Sequence, residues 1–91
     1  MAIVTLRYWA AAKDAAGVAE EKAEAETLAA ALAEGLAATS DRPGGNADRL
    51  RLVMARSAFL VDGQPAGTRP PESIRLAAAS VIEVLPPFAG G

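Results

Sequence analysis

The residues best suited to chemistry are the last two of the sequence, Gly90 and Gly91, which directly follow Pro86-Pro87-Phe88-Ala89. Because glycine has no side chain, such an end could enter a channel only as wide as the backbone, and its terminal carboxylate would be open to attack. The two prolines stiffen the approach, since each fixes φ and lacks a backbone N–H. Small residues are also common at ordinary frayed termini. The apolar run 81–85 continues into the tail with no polar linker, however, and this favours a chain whose C-terminal end performs the function.

The composition restricts what the rest of the chain could do by itself. The sequence has 91 residues, which is the size of one domain, and it contains neither cysteine nor histidine. Disulfides, thiolate nucleophiles and sulfur-ligated metals are therefore excluded, as is the commonest general base. Carboxylates, lysine, serine and tyrosine are the groups that remain. We expect a chain that is not an enzyme by itself and that binds no cofactor or metal.

Charge and hydropathy exclude two further classes of partner. The formal net charge is −2, and the acidic and basic residues are interspersed. No basic stripe and no platform of aromatic residues indicates binding to nucleic acid. The N-terminal residues do not have the pattern of a signal peptide, and no segment is long enough to span a membrane. The sequence therefore predicts a cytoplasmic protein with no nucleic-acid or membrane partner.

Hydrophobic periodicity and turn residues predict a small α+β domain with several short elements. Gly35 is expected to weaken the far end of the longer helix, because glycine is a poor helix former. Residues 48–56 fit either a helix or a strand, and a short helix is favoured. The predicted elements are a strand over 3–9, a helix over 10–16 closed by Gly17, an edge strand over 18–25, a helix from the N-cap Thr27 to about Ala38, a loop over 39–47, a helix over 48–56, a hairpin of strands over 58–61 and 64–66, and a strand over 81–85.

Alternation along the first strand assigns its two faces. The even-numbered residues from Val4 to Tyr8 form the buried face, whereas Thr5 and Arg7 mark a face that is expected to contact water. Trp9 continues that outer face, which is an unusual position for the only tryptophan of the chain.

This order of elements, with its apolar final strand and its Pro-Pro-Phe-Ala-Gly-Gly tail, resembles the ubiquitin-like β-grasp sulfur carriers. It is most similar to the small subunit of molybdopterin synthase, the MoaD family. The matching segments are 7–17, Phe59-Leu60-Val61-Asp62-Gly63 and 85–91, of which the tail is the most specific. Two segments depart from the family pattern: Ala77-Ala78-Ala79-Ser80 stands where an Asp-Gly turn is usual, and the segment 39–48 is long.

The resemblance implies a ubiquitin-like β-grasp fold, in which a helix covers one face of a small mixed sheet. The domain would occupy residues 1–85, and residues 86–91 would form a flexible, extended tail. It also implies that an E1-like activating enzyme uses ATP to adenylate Gly91, and that a sulfur donor converts the adenylate to a thiocarboxylate. Gly90 would allow passage of the tail into the large catalytic subunit, where the sulfur is used in molybdenum cofactor biosynthesis. ATP would be used by the activating enzyme, and no cofactor would be bound by this chain.

A docking surface for such partners is predicted beside the tail. In the β-grasp fold the first and last strands are neighbours, so Trp9 and Leu85 would lie close together on the outer face that Glu83 identifies. Aromatic and apolar residues exposed together commonly mark interaction sites. The alternative is that Trp9 is covered by the proline segment or by its own short helix and belongs to the core. The predicted partner-binding residues are Trp9, Leu85, Pro86, Pro87 and Phe88.

Other functions share the same features and stay open at this point. Sulfur carriers for thiamine-thiazole or cysteine synthesis would have a similar tail but a different partner. A ubiquitin-like protein modifier would instead join Gly91 to a lysine through an isopeptide bond. Finally, the glycines could be incidental to a β-grasp interaction module.

Overall fold

A computed structural model describes residues 2–87 of the chain. The predicted functional residues Phe88, Gly90 and Gly91 lie outside the described residues, so the proposed division into a domain and a tail stays a prediction. The elements are β1 (Ile3–Tyr8), α1 (Ala10–Ala16), β2 (Glu20–Glu24), α2 (Leu28–Ser40), α3 (Ala47–Ala55), β3 (Ala58–Val61), β4 (Gln64–Pro65), a 3₁₀ turn (Pro71–Ser73) and β5 (Val81–Leu85).

The strands form one mixed sheet in the order β2-β1-β5-β3-β4. The first and last strands, β1 and β5, are parallel neighbours, with Thr5 opposite Val81 and Tyr8 opposite Val84. The other three pairings are antiparallel. The strands β2 and β4 lie at the edges of the sheet, and the predicted edge position of β2 is confirmed. The α+β β-grasp architecture is confirmed. The helices α1 and α2 contact the sheet, and α3 packs against α1 and α2.

Local signals determined several boundaries. Gly17 ends α1 in the left-handed conformation, and its N–H bonds to the carbonyl of Lys13 at 2.9 Å. The Thr27 hydroxyl caps α2 by accepting from the N–H of Ala30 at 3.1 Å. Asn46 caps α3 in the same way, so the ambiguous segment is a helix. Several boundaries differ from prediction. The strand β1 ends one residue early, β2 starts two residues late and ends one early, and β4 ends one residue early. The helix α2 continues two residues further, and α3 is shifted by one residue toward the N-terminus.

The alternating pattern of β1 correctly identified its core face. Val4, Leu6 and Tyr8 are all at most 1% exposed, and they lie in the core together with Ile82 and Val84 of β5. The helices contribute mainly small side chains to the same core, namely Ala12, Ala15, Ala16 and Ala31. Their larger core side chains are Leu28, Leu50 and Met54.

Thr5 was wrongly predicted to contact water. It lies on the outer face as expected, but it is only 6% exposed. Lys22, its partner on β2, donates from Nζ to the Thr5 hydroxyl at 2.8 Å, and a long side chain of this kind covers its neighbour. Strand alternation therefore predicted the face but not the burial.

Gly35 does not weaken α2, and that expectation was also wrong. The helix runs past it to Ser40, and Gly35 is buried against β1. A Cβ atom at this position would overlap the hydroxyl of Tyr8 and lie 2.9 Å from Cδ1 of Leu6. Glycine is therefore required because it lets the helix backbone approach the sheet closely.

A polar cluster closes the core next to this contact. The Tyr8 hydroxyl donates to Glu21 Oε2 at 2.6 Å, and Glu21 is also paired with Arg42. Arg42 in turn donates from Nη1 to the carbonyl of Ala16 at 2.6 Å. Burial, together with the hydrogen bond to Glu21, raises the pKa of the Tyr8 phenol. The phenol stays protonated and the cluster joins β1, β2, α1 and the loop after α2.

The turn before β5 also depends on polar contacts. Ala79 has φ of 66°, a left-handed conformation that is unfavourable for a residue with a Cβ. Its N–H bonds to the carbonyl of Ile3 at 2.9 Å, and the Ser80 hydroxyl donates to Asp62 Oδ2 at 2.8 Å. Asp62 also accepts from the N–H of Val81 at 2.9 Å. These contacts hold a turn that lacks the usual glycine.

We predict that Gly35→Ala lowers the free energy of unfolding by about 1–3 kcal/mol, although alanine is the better helix former. The added methyl group must displace the Tyr8 ring or the Leu6 side chain. Urea denaturation of Gly35→Ala, Tyr8→Phe and the double variant tests this cause. The cost of the methyl group should be smaller in the Tyr8→Phe background, and an equal cost in both backgrounds would contradict the proposed contact.

We predict that Ala79→Gly raises the free energy of unfolding by about 0.5–1 kcal/mol, because relief of the left-handed strain outweighs the entropy of the unfolded chain. Ala78→Gly is the matched control, since Ala78 is its exposed neighbour and has no positive φ. The control should be destabilising. A loss of stability in both variants, measured by thermal unfolding, would show that Ala79 is not strained.

Candidate functional site

The predicted pair Trp9 and Leu85 lies at one end of the sheet. The strands β1 and β5 are parallel, and Tyr8 is opposite Val84. The residues that follow these two, Trp9 and Leu85, therefore lie beside each other. Trp9 and Leu85 line an apolar cavity of about 330 Å³ together with Ala10 and Pro86. We call these four residues the docking cavity. The expected closeness of Trp9 and Leu85 is confirmed, and Pro86 is brought to the same place.

The start of α1 turns the Trp9 side chain outward. Trp9 is the N-cap of the helix in an extended conformation, and Ala10 follows with φ of 48°. The Trp9 backbone is fixed on both sides, since its N–H bonds to the carbonyl of Val84 at 3.3 Å and its carbonyl accepts from Ala12 at 2.9 Å. The side chain is 46% exposed. The alternative assignment of Trp9 to the core was therefore wrong.

Glu83 makes a contact that the sequence did not predict. The Trp9 indole donates from Nε1 to Glu83 Oε1 at 3.1 Å. Glu83 lies two residues before Leu85 on the same face of β5, so alternation predicted its face but not its partner. The parallel register of β1 and β5, with Arg7 opposite Glu83, is the feature from which this contact could have been predicted.

The outer sheet face around the docking cavity is partly apolar. Ala58 is opposite Leu85, and Leu60 is opposite Glu83, so β3 extends the apolar surface away from Trp9. Arg7 lies on the other side of Glu83 and pairs with Glu20, with Arg7 Nε 3.5 Å from the carboxylate oxygen. An exposed apolar region bordered by charges is typical of a protein interaction site.

The tail continues directly from this surface. Pro86 is half-buried in the docking cavity, and Pro87 is exposed. The roles predicted for Phe88, Gly90 and Gly91 stay predictions, because these residues lie outside the described part of the chain.

Residues 2–87 show neither a metal centre nor a membrane-spanning helix. No group of three or more acidic, histidine or cysteine residues in this range is arranged to hold a metal ion. Within the same range, none of the helices has the length and apolar character needed to cross a membrane.

Comparison with solved structures identifies the fold. The structure of small archaeal modifier protein 1 from Haloferax volcanii superposes with a TM-score of 0.75 at 18% identity, over 98% of this chain and 99% of that one. The ubiquitin-like β-grasp fold is thereby shown. The protein of the same name from Methanosarcina acetivorans, 23% identical, has a TM-score of 0.73 over 100% of this chain and 98% of the other.

A third β-grasp neighbour comes from an assembly. It is a chain in the complex of subunits 1 and 2 of the molybdopterin-converting factor from Helicobacter pylori 26695. The identity is 20% and the TM-score is 0.60, over 98% of this chain and 99% of that one. No family profile and no curated protein matches the sequence. The expected resemblance is therefore confirmed in its β-grasp fold.

We predict that Trp9→Ala lowers the free energy of unfolding by only about 1 kcal/mol, because the side chain is half exposed. Leu6→Ala, which truncates a fully buried residue of the same strand, should cost about 2–5 kcal/mol. Circular dichroism is the suitable probe, since Trp9 is the only tryptophan. Equal losses in the two variants would place the Trp9 ring in the core and contradict the docking cavity.

Proposed function

We propose that the chain is a sulfur carrier that acts as the small subunit of molybdopterin synthase. The observation that supports it best is the position of the docking cavity at the end of β5, immediately before the segment that leads to Gly90 and Gly91. The six residues from Pro86 to Gly91 span at most about 20 Å when extended. A partner bound at the cavity could therefore receive Gly91 in its own active site.

The chemistry begins with a carboxylate that is a poor electrophile at neutral pH. In the activating enzyme, an oxygen of the Gly91 carboxylate attacks the α-phosphate of ATP and pyrophosphate leaves. A sulfur nucleophile then attacks the carbonyl carbon of the acyl-adenylate, and AMP leaves with the bonding electrons. The product is a thiocarboxylate on Gly91. Because neither of the last two residues has a Cβ, both attacks meet no side chain.

The docking cavity would hold the partner before the tail enters its active site. Trp9 and Leu85 would be the apolar anchors, and Pro86, Pro87 and Phe88 would continue the contact along the tail. The Helicobacter pylori neighbour is known in a complex of two subunits, which supports a large catalytic subunit as partner here. The E1-like enzyme and the sulfur donor are further partners on this proposal, and their use of ATP is consistent with a cytoplasmic location.

A ubiquitin-like protein modifier is a second candidate, which two of the structural neighbours favour by their names. The same acyl-adenylate of Gly91 would then be transferred to a lysine amine, forming an isopeptide bond. Carriers for thiamine-thiazole or cysteine synthesis would use the same chemistry with another final acceptor. The product formed on Gly91 separates modifiers from carriers, and the acceptor enzyme separates one carrier pathway from another.

We predict that the intact mass of the full chain rises by the difference between sulfur and oxygen after incubation with the E1-like enzyme of the same genome, ATP and a sulfide donor. Replacement of one carboxylate oxygen by sulfur is the cause, and intact-protein mass spectrometry is the measurement. Deletion of Gly91 should abolish the change while the circular dichroism spectrum stays native.

Two controls make the result specific. Omission of ATP should leave the mass unchanged, and Trp9→Ala should slow the reaction at limiting enzyme concentration without lowering its final extent. Conjugates with other proteins, without a thiocarboxylate, would support the modifier instead. An unchanged mass with no conjugates, or a normal mass increase after deletion of Gly91, would overturn the proposal.

A further inference from the structure

Glu83 is a charged residue on the outer face of the sheet, next to Trp9 and Leu85 of the docking cavity. Its neighbours on the outer face are apolar toward β3, where Leu60 is directly opposite, and along β5, where Leu85 follows two residues later. Its Oε1 atom accepts from Trp9 Nε1 at 3.1 Å, so the carboxylate is fixed at the edge of the indole ring. A partner that covers Trp9 and Leu85 would also remove water from Glu83.

No cation of the described chain neutralises this carboxylate. Arg7 is opposite Glu83 in the register of β1 and β5, but its ion pair is with Glu20. Lys22, which is opposite Thr5 on β2, donates to the Thr5 hydroxyl. Among residues 2–87, Glu83 therefore has a hydrogen bond to Trp9 and no ion pair. Burial of an unpaired carboxylate is costly, so docking favours a partner that supplies the positive charge.

The geometry selects the type of cation. Trp9 is 46% exposed, and tryptophan is the aromatic residue that attracts cations most strongly to its ring face. A planar guanidinium can stack on an indole and also donate parallel hydrogen bonds to a carboxylate beside it. A lysine ammonium is a compact, strongly hydrated charge and has no plane to stack.

We propose that Trp9 and Glu83 together form a receptor for an arginine side chain of the docked partner. The guanidinium stacks on the exposed indole face and pairs with the Glu83 carboxylate, while an apolar residue of the partner enters the docking cavity. This inference rests on the proposed function in its choice of partner. It makes Glu83 the residue that determines which partners are accepted, and Trp9 and Leu85 the residues that supply general apolar affinity.

A ligand titration tests the receptor without any partner protein. The indole N–H of the only tryptophan gives one NMR signal, which reports directly on the Trp9–Glu83 pair. The probes are N-acetylarginine methylamide, the citrulline analogue, which has the same shape without charge, and the lysine analogue. The arginine probe should shift the signal at a lower concentration than the other two. A lysine or citrulline probe that binds as well as arginine would overturn the proposal.

Glu83→Gln isolates the charge, because the amide oxygen can still accept from the indole while the negative charge is lost. In this variant the arginine probe should bind no better than citrulline. Glu34→Gln, at an exposed position of α2 on the helix layer, is the matched control and should behave like the unmodified chain. A retained preference for arginine in Glu83→Gln would show that the carboxylate is not part of the receptor.

The same variants test the role in partner binding. We predict that Glu83→Gln weakens binding to the large catalytic subunit about 10-fold or more, because the partner's cation loses its buried acceptor. Normal binding of Glu83→Gln, together with a normal mass increase, would overturn this inference and leave the sulfur-carrier proposal intact. Selective arginine binding by a chain that shows no mass increase would support the arginine receptor and contradict the sulfur-carrier function.

Discussion

The parallel pairing of β1 with β5 is the constraint on which both the fold and the candidate site depend. It places the first and last strands side by side, with the N–H of Thr5 bonded to the carbonyl of Ser80 and the N–H of Trp9 bonded to that of Val84. If the two strands were antiparallel, Trp9 and Leu85 would lie at opposite ends of the sheet. The docking cavity therefore exists because of strand direction, which is a property of the whole chain.

A parallel pair cannot be joined by a short turn, and the intervening chain must cross a face of the sheet. Here α2 lies against the inner face, and its close approach depends on Gly35 next to Tyr8. Many of the helical core residues are alanines, so the layers are separated by little side-chain volume. The Tyr8–Glu21–Arg42 cluster satisfies the polar groups at the border of this thin core. No helix of residues 2–87 covers the outer face, which is available to a partner.

The sequence predicted features that depend on neighbours along the chain. The bounds of α1, β3 and β5, the N-cap Thr27 and the C-cap Gly17 all follow from local composition, and all are confirmed. Gly35, whose role depends on contact with another element, was misread. Helix propensity considers only the residues of the helix itself, whereas the Tyr8 hydroxyl that requires glycine here belongs to a residue 27 positions earlier in the chain.

The candidate site shows the same division. Alternation placed Trp9 and Leu85 on the outer face, and the family resemblance made their strands neighbours, so their closeness could be predicted. The hydrogen bond between Trp9 and Glu83 was missed, because it depends on the parallel register of β1 and β5 and on the turn at Ala10, neither of which the alternation of a single strand shows. Burial of Thr5 was missed for a similar reason, since the covering side chain comes from β2.

Specificity in such a fold must come from side chains on the outer face. Neighbours that share only 18–23% of their residues with this chain keep the same backbone, and their names assign them to different functions. The shared backbone therefore cannot by itself distinguish one partner from another. A fixed charge beside those anchors can, because its burial is unfavourable with every partner except one that presents the matching group. Glu83 has this position, and its bond to Trp9 makes the apolar contact and the charge requirement parts of a single binding event.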